Sequence, residues 1–205
     1  MALPASGTIS LNEIHVEAGG TTATLASIND ADIRALIGKA DGVEMSFNEW
    51  YGAGAGQSFT VTEGSDLFTS AAYYGFREER NPDVGSVSPT SLTVASKSHP
   101  IRDAYRRVNR SGGVNDDSTS AFWFIIYNAS DGTVPADDWF TSVDVEITGG
   151  TANLTQSSAT IFSTGTGSTG RKEWRWFSND FSSGDLTNFA SQWDGSGTSD
   201  VTINE

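Results

Sequence analysis

The chain has no cysteine, which removes disulfides, thiolate nucleophiles and cysteine-based zinc sites. Cations are scarce: 12 Lys and Arg against 26 Asp and Glu give a formal net charge of −14. Nucleic-acid backbones are held by clustered Lys and Arg, so no nucleic-acid partner is expected. The same sign of charge opposes docking on an anionic membrane. No apolar run approaches the roughly 20 residues of a membrane-spanning helix. The opening MALPASGTIS has neither the basic nor the apolar region of a secretory signal. The expectation is a protein made in the cytoplasm, without membrane insertion, and released if at all by lysis. Hydrophobic residues make up 37% and charged residues 19% of 205 positions. Both shares are low, with Gly, Ser and Thr filling the difference, and this favours many short strands joined by tight turns.

What is present divides into two local grammars. Residues 1–52 read as short helices. Ser10-Leu11-Asn12-Glu13 is a capping-box pattern: the serine oxygen accepts an amide proton and the glutamate reaches back to the cap. Asn29 is placed to cap a second helix through Ile33, Leu36 and Ile37, stopped by Gly38. Ser46-Phe47-Asn48-Glu49 repeats the box, with Met45 as a staple. Helices this short are unstable alone. Ile9, Leu11, Ile14, Leu25, Ile28, Ile33, Leu36, Ile37, Phe47 and Trp50 form too small a core for an independent domain. The segment therefore reads as one that packs on something else, either the rest of the chain or a partner. Residues 53–56 lie in the run Gly52-Ala53-Gly54-Ala55-Gly56 and read as a flexible linker, with a tight loop as the alternative.

From residue 57 to 205 the period changes to two. Ser58-Phe59-Thr60-Val61-Thr62 alternates. In Ser142–Thr148, Val143, Val145 and Ile147 fall on one face and the carboxylates on the other. Trp174 and Trp176 flank Arg175 in the same way. Phe122–Tyr127 is apolar on both faces, which suits a central strand or one covered by a partner. Further candidates are Tyr73–Phe76, Ser91–Val94, Thr160–Phe162, Val201–Ile203 and Ile101–Val108, the last with a helix as the alternative. Turn clusters such as Ser111-Gly112-Gly113, Ser130-Asp131-Gly132 and Gly165-Thr166-Gly167 separate them. About nine short strands predict an antiparallel β-sandwich, Ig-like or jelly-roll-like, preceded by the small segment of short helices.

Catalytic chemistry finds little support. His15 and His99 are far apart in sequence, too few for a zinc triad without carboxylates, and no G-x-S-x-G surrounds a candidate nucleophile. The pairs Asp116-Asp117 and Asp137-Asp138 point apart in extended chain, whereas a glycosidase needs two carboxylates about 5–10 Å apart across a cleft. Calcium at the Asp116, Asp117 or Asp131 loops would lack EF-hand spacing. No enzyme, cofactor or metal is expected. Arg102, Arg106, Arg107 and Arg110 cluster within residues 77–110, which hold seven basic and four acidic residues, against three and 13 in residues 111–205. This dipolar layout marks the four arginines as candidate partner contacts, with a solvated hairpin edge that blocks sheet extension as the equal alternative. The chain has six Trp and 11 Phe. Trp123, Trp139, Trp174 and Trp176 are read as core. Trp193, in Ser191-Gln192-Trp193-Asp194-Gly195, is either a folded-in anchor or a candidate glycan contact.

Two stretches carry a resemblance. The first is Ala5-Ser6-Gly7-Thr8-Ile9-Ser10-Leu11-Asn12-Glu13-Ile14, then the Asp30–Gly38 helix, then Met45-Ser46-Phe47-Asn48-Glu49-Trp50-Tyr51-Gly52. The second is Tyr74-Gly75-Phe76, Gly85-Ser86-Val87-Ser88-Pro89, the Phe122 strand, Trp139-Phe140-Thr141-Ser142-Val143 and Trp174-Arg175-Trp176. Together they resemble tailed-bacteriophage virion structural proteins, especially those of marine and cyanobacterial phages, in which such an opening precedes tail-fibre and other structural domains. Lys97–Thr119 departs from that pattern by being longer and more basic. The resemblance implies a non-enzymatic virion component, a tail fibre, adaptor or tail-tip protein. Ile9, Leu11, Ile14, Ile33, Leu36, Ile37, Phe47, Trp50 and Tyr51 would then dock it to other phage structural proteins. Copies would associate with one another, trimers included. A capsid decoration or head-fibre protein and a host-glycan-binding module are the alternatives.

Overall fold

The computed structural model describes residue 3 and residues 7–37, 39–50, 56–78, 82–94 and 97–205. The chain divides into two compact units, Met1–Gly56 with Asn204–Glu205, and Gln57–Ile203. The readings made for Gly38, Tyr51 and residues 53–55 lie outside the described residues.

The first unit holds helix α1 (Leu11–Glu17), helix α2 (Ala31–Ala35) and a single 3-10 turn, Phe47–Trp50. The Ser10 box forms as read: the Glu13 amide donates to Ser10 Oγ at 3.2 Å and the Ser10 amide to Glu13 Oε2 at 2.7 Å. The second cap moves by one residue. Asp30 occupies it without a side-chain cap bond and instead accepts the Ser27 amide at 2.7 Å. At the third start, the Ser46 amide donates to Glu49 Oε2 at 2.8 Å. Leu3, Ile9, Ile14, Ile33 and Trp50 are buried together, with Leu11, Leu36, Ile37 and Met45 packed against them. The Trp50 indole donates to the Ile33 carbonyl at 3.2 Å. Arg34, also buried, spans from α2 to the carbonyls of Ala40 and Val43. Its guanidinium fastens a loop that so small a core could not hold by apolar contact alone.

The second unit is mostly β, two antiparallel sheets packed face to face. One has five strands in the order β4 (Ser86–Ser88), β1 (Gln57–Thr62), β12 (Thr198–Asn204), β8 (Ser142–Ile147), β9 (Gly150–Thr155). The other runs β10 (Thr160–Thr164), β11 (Arg171–Trp176), β7 (Val114–Tyr127), β6 (Lys97–Ser111), β3 (Ala71–Arg77), β2 (Gly64–Leu67), with β5 (Ser91–Val94) paired to β6. Alternation builds the core between them: Phe59, Val61, Val143, Val145, Val201 and Ile203 from the first sheet meet Phe76, Ala104, Phe122, Phe124, Ile126, Trp174 and Trp176 from the second. Rings carry much of the packing, as in Phe59 on Phe124 with centroids 5.7 Å apart. Helix α3 (Ser183–Gln192), capped by Ser182, adds Phe189 to this core.

Residues 101–108 form strand, in the long β6–β7 hairpin. Gly112 and Gly113 turn that hairpin with φ of 59° and 84°, the pair of positive angles a two-residue primed turn requires. The longer, more basic stretch Lys97–Thr119 is thus paired strand on both sides of that turn. Phe122–Tyr127 is central, between β11 and β6. Trp174 and Trp176 lie in the core as read, and Trp139 packs partly buried against it. Trp123, by contrast, sits on the opposite face of its sheet, because it alternates with core residues Phe122 and Phe124.

Candidate functional site

The seven-stranded sheet sends every second residue away from the core, and that outer face is not an ordinary solvated one. Register places Tyr105 opposite Trp123 and Trp123 opposite Arg175. In the next row Arg77 faces Asp103, Asp103 faces Ile125, and Ile125 faces Glu173. Tyr73, Tyr105 and Trp123 follow one another with ring centroids 5.6 and 5.5 Å apart. Arg77 lies 4.1 Å from the Tyr73 centroid, and Arg175 3.7 Å from Trp123 and 4.2 Å from Phe162. Each such cation on a ring contributes roughly 0.5–2 kcal/mol. Carboxylates complete the layer: Arg77 pairs with Asp66 at 2.9 Å, Arg102 with Asp103, and Arg175 with Glu173. Tyr105 is only 3% exposed although it faces away from the core. Burial, with the Asp103 carboxylate beside it, pushes its phenol far above the ordinary range, so it stays a neutral ring and donor.

At one end this face opens into a cleft of about 640 Å³. Arg102, Tyr127, Asn128, Ser168, Thr169 and Arg171 line it, with Glu78 at the same opening. The sequence folds this way because β7 ends at Tyr127, directly opposite Arg171, the first residue of β11. The turn before β11 then wraps the next residue. The Asn128 amide donates to the Gly170 carbonyl at 2.8 Å and its side-chain Nδ2 to the Gly167 carbonyl at 2.9 Å. A Cβ on Gly170 would stand 2.4 Å from Asn128 Nδ2, so glycine is what lets the loop close. Asn128 Oδ1 and Arg171 Nε are buried without a partner. Among the described residues no carboxylate pairs with Arg171. Burial raises the Tyr127 phenol, and Glu78 adds to the shift.

Several expected site residues lie elsewhere. Trp193 is fully buried. It packs on Phe122 and Phe189, and its indole donates to the Glu146 carbonyl at 3.0 Å, so it presents no face to a sugar. Arg106 and Arg102 are buried too, which corrects their reading as partner contacts. Arg106 binds the carbonyls of Ala190 and Trp193, Ser120 Oγ and Asp117, tying the hairpin to α3. Arg110 donates to the Phe68 and Gly113 carbonyls and Arg107 to Asn109 Oδ1; both remain half-buried. Asp117 and Asp137, from the two carboxylate pairs, serve buried cations, Arg106 and Lys172. His99 is buried, its Nδ1 2.9 Å from the Tyr127 carbonyl.

Of the residues read as docking contacts, Ile9, Ile14, Ile33 and Trp50 are interior to the first unit, and Leu11, Leu36 and Ile37 pack on them. The first four hold the unit together from its interior, and Leu11, Leu36 and Ile37 keep part of their surface accessible. Phe47 remains 42% exposed, in company with Val16, Leu25 and Val43. Tyr127, Asn128 and Arg171 were not singled out from sequence. No local pattern marks them, and only the strand register brings them together.

Among the described residues no helix is long and apolar enough to cross a membrane, and no group of three or more His, Asp or Glu is arranged to hold a metal ion. Compared with protein families, curated proteins and solved structures, the chain matches none.

Proposed function

We propose that this chain is a non-enzymatic structural protein of a tailed-phage virion, a tail-fibre, adaptor or tail-tip component. In this reading the N-terminal unit attaches and the sandwich is presented for assembly or host contact. The observation that carries it is the division into two compact units, each with a core of its own. A sandwich that buries its core without help suits presentation. Among its described residues the first unit buries five apolar side chains together and leaves Val16, Leu25, Val43 and Phe47 exposed, available to a partner surface. The resemblance of its opening to phage virion proteins points the same way.

The test is incorporation. Particles assembled with a chain lacking residues 1–56 should contain no sandwich, while the full chain joins them and the soluble truncated protein still unfolds cooperatively. Normal incorporation of the truncated chain would overturn the docking role.

A further inference from the structure

We infer that the cleft beside Arg171 is a binding site for an acidic saccharide, a sugar ring bearing a carboxylate. This rests on the second unit alone and holds wherever the chain resides.

The chemistry of the walls selects the ligand. Arg171 brings a half-buried guanidinium with no carboxylate partner among the described residues. The other guanidinium in the cleft, Arg102, is already neutralised by Asp103. One uncompensated planar fork calls for one planar anion, and a carboxylate matches it with two parallel hydrogen bonds. The rest of the lining asks for hydroxyls. Ser168, Thr169, Ser98 and Ser130 present hydroxyl side chains, which donate or accept as needed. The Asn128 carbonyl oxygen is an acceptor that the protein leaves unsatisfied, in a side chain fixed by Gly167 and only 3% exposed. Unsatisfied buried acceptors are uncommon enough to call for a donor from outside. Among the described lining residues Tyr127 supplies the one aromatic ring, a platform for the C–H face of a sugar. Among the described lining residues only Pro100 and Tyr127 bring apolar surface, which favours a sugar over a peptide with large aliphatic or aromatic side chains. The volume of about 640 Å³ falls in the usual range of small-molecule sites.

Glu78 at the opening gives the inference a sign. Its carboxylate repels an anionic ligand, so removing it should tighten binding, whereas removing Arg171 should weaken it.

The experiment is a titration of the full-length 15N-labelled protein, followed by amide shifts, with glucuronate and separately with glucose as probes. Glucuronate should move resonances of residues 98–102, 127–131 and 167–171, and glucose should do so at least about tenfold more weakly, the loss of one charge-assisted pair. Arg171→Gln should weaken glucuronate about tenfold or more, Glu78→Gln should strengthen it, and Arg175→Gln on the neighbouring ring layer should leave it unchanged. Equal response to the two sugars, or glucuronate shifts lying outside the cleft, would overturn the inference. So would no response at concentrations that saturate millimolar sites. If Arg171→Gln fails to fold, the comparison of the two sugars on the native chain still decides.

Discussion

Glu63 shows how a single buried carboxyl can set the pH response of the sandwich. It is nearly inaccessible, and its two oxygens accept from Ser199 Oγ at 2.7 Å and the Gly195 amide at 2.8 Å. Burial pushes its acidity weaker than usual, only partly offset by those two hydrogen bonds. The unfolded chain therefore releases this proton at lower pH than the folded one. Its contribution to stability is fully present below the ordinary carboxylate value and is lost as pH rises through the folded value. Glu63→Gln keeps the shape and has no proton to lose. In urea unfolding the variant should gain on the native chain between pH 4 and pH 7, and a constant difference would contradict the assignment. Arg106 illustrates the opposite case, a buried cation satisfied by two carbonyls, a hydroxyl and a carboxylate. Its sequence neighbourhood of arginines made it look like a surface charge, and only the α3 carbonyls that meet it reveal its role.

At the scale of elements, β3 depends on a glycine. Gly75 sits at φ 131°, and a Cβ there would stand 2.5 Å from the Ala104 carbonyl oxygen and 2.9 Å from Tyr105 Cα. Both are backbone atoms of the paired strand and cannot rotate away. Gly75→Ala should cost about 2–4 kcal/mol from strain and crowding, read as a fall in the urea midpoint with unchanged slope. A loss under about 0.5 kcal/mol would mean that β3 and β6 can separate freely. Strands with clean alternation, such as β8 with Val143, Val145 and Ile147, were legible from sequence because each places one face on the core. The β2 strand, Gly64–Leu67, and β4, Ser86–Ser88, were not, since pairing rather than apolar pattern makes them strands. Helix α3 was hidden for a related reason. Its sequence SGDLTNFASQ is rich in poor helix formers, and Phe189 in the core holds it in place. The same packing buries Trp193, which its Gly and Ser neighbours had made resemble a loop tip. The cleft was the least legible feature. Tyr127 and Arg171 are 44 positions apart and meet only through the β7–β11 register.

At the scale of the whole molecule, the chain joins two unlike solutions to the problem of burying a core. The sandwich does so by sheet pairing and stacked rings. The first unit relies on caps, a buried tryptophan and Arg34, and it keeps several apolar side chains at its surface. A formal charge of −14 favours solubility of the chain. These properties fit the virion role proposed above. The most direct test of the proposed virion role is immunogold labelling of intact tailed-phage particles produced from a genome that carries this gene, with antibody raised against residues 57–205. A presented tail component requires gold on the tail. Unlabelled particles whose mass spectrum also lacks the chain would contradict a place in the virion.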